Sequence, residues 1–131
     1  MSSRTRKPDR VQTVPGVSNA CLVNSAIGAA TTNATIVKAT PGVVYAIDAV
    51  NINAAVRYLK LYNKATTPAE TDTPVMRIAL QGGATGPRSP ITFPGGLQFS
   101  AGISYRLVTG MADNDTTAPS ASESLVNVVY F

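Results

Sequence analysis

Apolar and polar residues alternate along much of the chain with a period of two, which is the pattern of half-buried β-strands. The alternation is clearest in RYLKLYN (57–63), PVMRIAL (74–80) and ISYRLVTG (103–110), where apolar residues recur at every second position. Further segments rich in β-branched and aromatic residues are TIVKAT (35–40), VVYAIDAVNI (43–52), ITF (91–93), LQFS (97–100) and LVNVVYF (125–131). The pattern therefore predicts about eight strands.

Proline and glycine mark where several of these strands end. Pro41-Gly42 lies inside the segment 35–52 and predicts that this segment is a hairpin. Pro94-Gly95-Gly96 predicts a turn between two short strands.

The fold class follows from what lies between the strands. The one helix-like run, INAAVRYL (52–59), merges into a strand, so the helices that a parallel α/β sheet requires are missing. Turn signals every eight to twelve residues are typical of all-β folds. We therefore expect an all-β fold, with residues 20–131 forming a single antiparallel β-sandwich of jelly-roll-like type.

The last predicted strand, LVNVVYF, is apolar on both faces. A strand of this kind is normally central in its sheet or covered on its outer face, because an exposed apolar strand invites edge pairing. We expect it to be central, or to be covered by another subunit.

The composition indicates a protein that acts in an assembly. The 131 residues suit one domain. Only 14% of them are charged, against about 25% in a typical soluble domain, so little charge repulsion opposes association. The single cysteine, Cys21, lies in the apolar stretch ACLV and is predicted to be a buried structural thiol. Neither the apolar core of a signal peptide nor a membrane-spanning run is found, so we expect synthesis without Sec export and no membrane partner.

Positive charge is concentrated at the N-terminus. Arg4, Arg6, Lys7 and Arg10 account for most of the net charge of +4, because seven basic and six acidic side chains follow residue 10. Residues 1–19 are predicted to be an extended basic arm that binds a partner. Nucleic acid, an acidic protein surface and a merely solvated leader stay open as interpretations.

Candidate catalytic chemistry is sparse. The chain has no histidine, which removes the commonest general base and the usual zinc ligand, and it has no nucleotide-binding glycine loop. Glu70 and Asp72, and likewise Asp113 and Asp115, lie in polar loops where the residue types favour a hairpin tip and closed turns. A looser calcium site or a carboxylate pair of a glycosidase stays open. We expect no enzymatic activity, no cofactor and no metal.

One strand carries a second candidate partner-binding surface. Tyr58, Lys60 and Tyr62 share a face of the segment 57–63. Tyrosine is enriched in protein–protein interfaces. A nucleic-acid surface is disfavoured because the chain beyond the arm is nearly neutral.

Four motifs resemble a family. They are YLKLYNKA (58–65), TDTPV (71–75), FPGGLQFSAGI (93–103) and TGMADNDTT (109–117). With the final apolar strand they resemble small virion structural proteins of tailed bacteriophages and prophages, over about half of the chain.

The resemblance implies a component of the virion, most plausibly a capsid decoration or cement protein on the capsid surface, made in the host cytoplasm. Its implied partners are the major capsid protein or other virion proteins and further copies of itself, with a trimer favoured by that role. It implies no catalytic residues. A tail, neck or fibre-associated module is the alternative, and a glycan-binding domain is a third interpretation.

Overall fold

A computed structural model describes residues 21–83 and 90–131 of the chain. These residues form strands and no helix, which confirms the predicted all-β class. In the described ranges there is accordingly no helix that could cross a membrane. The strands are β1 (Leu22–Ile27), β2 (Thr35–Lys38), β3 (Gly42–Asn51), β4 (Arg57–Asn63), β5 (Met76–Leu80), β6 (Ile91–Phe99), β7 (Ile103–Val108) and β8 (Ser124–Tyr130).

The strands form two antiparallel four-stranded sheets. Sheet A has the order β1-β8-β3-β6, and sheet B has the order β2-β7-β4-β5. The pairs β1·β8, β2·β7, β3·β6 and β4·β5 are nested, as in one long hairpin folded at the β4–β5 loop. Rolling up that hairpin adds the pairs β3·β8 and β4·β7. This connectivity is that of a jelly roll, and it agrees with the predicted sandwich.

The core lies between the two sheets. Alternate residues of each strand point inward, as the period of two requires. The buried cluster comprises Val37, Val44, Ile47, Leu59, Leu61, Leu80, Phe99, Ile103, Tyr105, Leu107, Val126 and Val128. Burying each of the larger apolar side chains contributes about 1.5–3 kcal/mol, so this layer is the main source of stability.

The position of β8 confirms the prediction for the last strand. β8 lies between β1 and β3 in sheet A. Val126 and Val128 face the core, whereas Leu125 and Val129 lie on the outer face and are only partly buried. The inner face of the strand packs in the core, whereas its apolar outer face stays partly exposed.

The predicted hairpin over 35–52 is wrong. β2 pairs with β7 and β3 pairs with β6 and β8, so the two strands belong to different sheets. The turn at Pro41 carries the chain from one sheet to the other, which lets Val37 and Val44 both face the core. A turn signal shows that the chain reverses and does not show which strand becomes the partner.

The residues 91–99 form one strand where two short strands were predicted. Gly96 has a φ of +82°, which favours glycine, and a Cβ there would overlap Val43 on the neighbouring strand. The register between β3 and β6 shifts between Val44 and Ala46. The strand therefore accommodates Pro94-Gly95-Gly96 as a local irregularity at the sheet edge, where proline is tolerated.

β1 lies in a stretch that the alternation does not single out, and it places Cys21 at the surface. Cys21 is exposed, so the predicted buried thiol is wrong. The reason is that Cys21 precedes the first residue of β1, at the edge of sheet A and away from the core.

Candidate interaction surfaces

The outer face of sheet B carries the predicted Tyr58, Lys60 and Tyr62 stripe. All three side chains lie on this face because Leu59 and Leu61 between them fill the core. Lys60 is 0% exposed and Tyr62 is 1% exposed, while Tyr58 is half-buried. Two of the three predicted partner-binding side chains are therefore beneath other residues of the same chain, and only Tyr58 reaches the surface.

The cover is the β7–β8 loop, residues 109–123, which we call the covering loop. The Lys60 Nζ donates a hydrogen bond to the carbonyl of Ala112. Arg106 on β7 donates from Nη2 to the carbonyl of Asp113 at 3.0 Å and from Nε to the Tyr62 hydroxyl at 3.0 Å. Two buried cations thus bind main-chain carbonyls of the covering loop and hold it against the sheet.

Burial changes the electrostatics of this contact. Desolvation, followed by repulsion from Arg106, lowers the pKa of Lys60 below its ordinary value. A lysine taken out of water beside a second cation is costly unless its hydrogen bonds are made. Lys60 and Arg106 are therefore attachment points of the covering loop.

Carboxylates at the same end of the molecule are paired with cations. Asp113 accepts two hydrogen bonds from Arg77 on β5, at 2.5 and 2.6 Å. Asp72 accepts from the Lys64 Nζ at 2.5 Å and from the backbone N–H of Ala69 at 2.7 Å. The Arg77 hydrogen bond lowers the pKa of Asp113, and the Lys64 hydrogen bond lowers the pKa of Asp72.

The β4–β5 loop and the covering loop meet at an open cleft of about 570 Å³. The described residues that line it are Glu70, Thr71, Asp72, Thr73, Asp113 and Asn114, and none of these is aromatic. Glycoside hydrolysis needs one carboxyl group whose pKa is raised so that it acts as a general acid. Asp72 and Asp113 have lowered pKa values instead, so this cleft does not provide that arrangement from these two residues.

The acidic side chain of Asp115 lies in the covering loop. Asp115 accepts a hydrogen bond from the backbone N–H of Thr117 at 2.9 Å, which closes a turn in the way predicted for this residue type. Within residues 21–83 and 90–131 there is no group of three or more His, Cys, Asp or Glu side chains that could hold a metal ion.

Polar side chains of the motif YLKLYNKA (58–65) contact the other three motif segments. Besides the contacts of Lys60 and of Lys64 with Asp72, Asn63 on β4 binds the loop that precedes β7. Its Nδ2 donates to the Ser100 hydroxyl at 2.9 Å, and its Oδ1 accepts from the N–H of Ala101 at 2.8 Å. These polar side chains of the motifs are thus used within the fold.

A buried ion pair, which the sequence did not indicate, lies at the opposite end of the sandwich. The Arg57 Nε donates to the Glu123 carboxylate at 2.5 Å, with side-chain exposures of 12% and 7%. Asn53 Nδ2 donates to the same carboxylate at 3.0 Å. The Arg57 hydrogen bond is the main reason that the pKa of Glu123 is lowered. This pair connects the start of β4 to the start of β8.

The outer face of sheet A is the more apolar surface. Val23 and Ile27 on β1 are 62% and 69% exposed, and Ile52 after β3 is 61% exposed. An apolar groove of about 320 Å³ lies beside them, lined by Ile27, Val50, Ile52, Leu125 and residues 122–124. The apolar outer side of β8 was the sequence signal for this surface, and the contribution of β1 had no such signal.

The predicted arm, residues 1–19, lies outside the residues that the structure describes. This includes its four candidate partner-binding residues, Arg4, Arg6, Lys7 and Arg10.

Comparison with known proteins returned no family model, no curated protein and no solved structure that matches this chain.

Proposed function

We propose that this chain is a non-enzymatic structural protein of a bacteriophage virion, of the capsid decoration type, which stabilises the head by bridging shell subunits. The proposal starts from the resemblance of four sequence motifs to such proteins. The observation that carries it is that Lys60, Asn63 and Lys64 of the first motif bind the other three motif segments. Motifs of this kind encode a rigid fold instead of a reaction centre.

The distribution of charge supports the same conclusion. Lys60 and Arg106 are buried against loop carbonyls, and Asp72 and Asp113 are paired with cations. A catalytic site keeps an acid or base with a pKa suited to its task and open to substrate. Here the shifted carboxylates have lowered pKa values and serve structural contacts.

The surfaces of the molecule suit repeated binding to the regularly arranged subunits of a virion shell. The rolled hairpin gives a stiff core, and sheet A presents an apolar face. In this proposal the basic arm reaches across to a neighbouring subunit, the major capsid protein or another virion protein. Modest contacts repeated over a shell combine into high avidity, so no single interface needs to be large. A trimer at a three-fold position of the shell suits this role.

The proposal is tested by deleting residues 2–15 of this chain in the phage that encodes it and then purifying the particles. We expect the truncated protein to keep its circular dichroism spectrum and melting temperature, because the deletion leaves the strands intact. Its occupancy on particles should fall strongly. A matched full-length variant with Gln at Arg4, Arg6, Lys7 and Arg10 separates the effect of charge from that of length. Unchanged occupancy of both variants would count against a bridging arm.

Copy number decides between the head and the tail. Quantitative mass spectrometry of purified particles should find this chain at a number comparable with that of the major shell subunit. A copy number typical of a tail, neck or fibre component would indicate that the chain belongs to that part of the virion. Absence of the chain from purified particles would overturn it.

A further inference from the structure

The outer face of sheet B carries a row of three cations. The pairing register places Lys60 of β4 directly opposite Arg77 of β5 on one side and directly opposite Arg106 of β7 on the other. Like charges in directly opposite positions of a sheet are destabilising. The row therefore needs negative charge or oxygen acceptors above it, and the covering loop lies there.

The two buried members of the row have no carboxylate partner. Lys60 is 0% exposed and Arg106 is 2% exposed. In the part of the chain that the structure describes, neither of them forms an ion pair. Lysine and arginine side chains that are fully buried are normally paired with an opposite charge. These two donate to main-chain carbonyls of the loop instead, so the loop satisfies them only in part.

Lys60 shows how incomplete this arrangement is. Its ammonium group has three N–H donors, and among the described residues it donates to one acceptor, the Ala112 carbonyl. The carboxylates of Asp113 and Asp115 attract it without forming an ion pair, and burial outweighs them, so the pKa of Lys60 is lowered. A carboxylate in direct contact with Lys60 would supply the missing charge.

Polar contacts hold the covering loop on this row. None of residues 109–117 belongs to the apolar core. The Thr109 N–H donates to the Thr117 carbonyl at 3.0 Å, and the Asp115 N–H donates to the Ala112 carbonyl at 3.0 Å, so these hydrogen bonds stay within the loop when it moves. Segments with few apolar contacts open at a lower free energy than core strands. Opening also returns two buried cations to water.

We infer that the outer face of sheet B binds an acidic segment of a partner protein, and that the covering loop occupies this site in the free chain. The loop shows the chemistry of the ligand, because it places an Asp113 carboxylate on Arg77 and peptide carbonyls on Lys60 and Arg106. The inference goes beyond the proposed function and does not depend on it, since the site lies on sheet B and not in the arm.

Nucleic acid is the competing ligand, because Tyr58 and Tyr62 share this face with Lys60 and aromatic side chains stack on bases. The contacts of Tyr62 favour the acidic segment. The Arg106 guanidinium lies over the Tyr62 ring, 5.7 Å from its centre, and donates to its hydroxyl, so this ring is already engaged. The chain beyond residue 10 has a net charge of only +1, which is a weak attraction for a phosphate backbone.

The covering loop and the ligand compete for the same cations. The apparent dissociation constant of the ligand is its intrinsic value divided by the fraction of molecules whose loop is open. The wild-type chain should therefore bind an acidic peptide weakly, and a chain without the loop should bind it more tightly.

NMR titration of the full chain with a synthetic peptide tests the inference. The peptide has the sequence of residues 109–117, TGMADNDTT, with an acetylated N-terminus and an amidated C-terminus. In the shortened variant, a Gly-Ser linker replaces residues 111–116. We expect this variant to bind the peptide at least about tenfold more tightly than the wild type does, with the largest shifts at amides of β4 and β7.

Two matched controls separate charge from shape. A peptide with Asn in place of both Asp residues should bind the shortened variant at least about tenfold more weakly, because it cannot form charge-assisted hydrogen bonds. The substitution Lys60→Gln in the shortened variant should weaken binding of the acidic peptide by a similar factor.

Gly110→Val keeps the inference testable if the shortened variant does not fold. A Cβ at position 110 would lie 2.1 Å from an Asp115 carboxylate oxygen, so the substitution displaces part of the loop without removing it. This variant should bind the peptide at least about threefold more tightly than the wild type.

Three results would overturn the inference: equal affinity of the wild type and the loop variants, no binding by folded loop variants at about 1 mM peptide, or equal binding of the acidic and the uncharged peptide. Tighter binding of a short oligothymidine than of the peptide would overturn it in favour of nucleic acid. The proposed role in the virion would stand in each case.

Discussion

Lys60 and Arg106 lie on the side of their strands that the alternation predicts, yet they are buried. Alternation assigns a face and says nothing about what covers that face. The covering loop has 15 residues, which is longer than most connections, and long loops commonly have a structural or functional role of their own. The length of MADNDTTAPSASE was therefore the available signal for the burial of Lys60 and Tyr62. The contacts themselves depend on the sheet order, which no local pattern reveals.

Glu123→Gln should lower the stability of the protein by about 1.5–3 kcal/mol at neutral pH, because it weakens a buried hydrogen bond between charged groups. The effect should depend on pH. The pKa of Glu123 is lowered in the folded protein, so its stabilisation is present above the ordinary value of 4.5 and is lost as the pH falls through the folded pKa. Urea unfolding of both proteins at pH 7 and pH 3 measures this difference.

The matched control is Glu70→Gln in the exposed β4–β5 loop, which should change stability little at either pH. A Glu123→Gln difference that is the same size at pH 3 as at pH 7 would show that the carboxylate charge is not what stabilises the contact.

At the level of elements, the sequence indicated most strands and few of their neighbours. β4, β5 and β7 were predictable because their core side chains alternate with polar or smaller ones. β1 was not, because its outward Val23 and Ile27 are apolar while Asn24 points inward, which removes the contrast between the two faces. The irregular β6 resembled a turn because Pro94-Gly95-Gly96 has turn composition.

Arg106→Leu should loosen the covering loop. The substitution removes the hydrogen bonds to the Asp113 carbonyl and the Tyr62 hydroxyl. It also replaces a buried cation with an apolar side chain that cannot donate a hydrogen bond. We expect hydrogen exchange to be faster by about tenfold at the amides of Thr109 and Asp115, which are hydrogen-bonded inside the loop.

Arg77→Gln is the matched control at the exposed edge of the same loop. Its ion pair with Asp113 is about 40% exposed on both sides, and exposed pairs contribute little. Exchange should therefore change by less than about threefold. Equal acceleration in the two variants would show that the buried cation does not hold the loop.

For the molecule as a whole, the jelly-roll-like sandwich was predictable from the number of strands and the missing helices. The assignment of strands to sheets was not, because it depends on contacts between residues far apart in sequence, such as Leu22 with Tyr130. The two interaction features also differ in kind: one face is apolar and nearly neutral, whereas the arm is basic.

The basic arm predicts a response to salt. Binding of the arm to an acidic partner should weaken by more than about threefold between roughly 0.05 and 0.5 M salt, because its four cations lie close together in the sequence. Occupancy of the chain on particles at several salt concentrations measures this effect. Occupancy that does not change with salt would contradict binding through the charges of the arm.

The central position of β8 has a consequence for biosynthesis. Until residues 124–130 leave the ribosome, β1 and β3 have no strand between them, and one side of the core is open to water. The protein cannot complete sheet A while its last strand is still inside the exit tunnel. The apolar side chains of β1 and β3 that pack against β8 thus stay open to water until β8 inserts between these two strands.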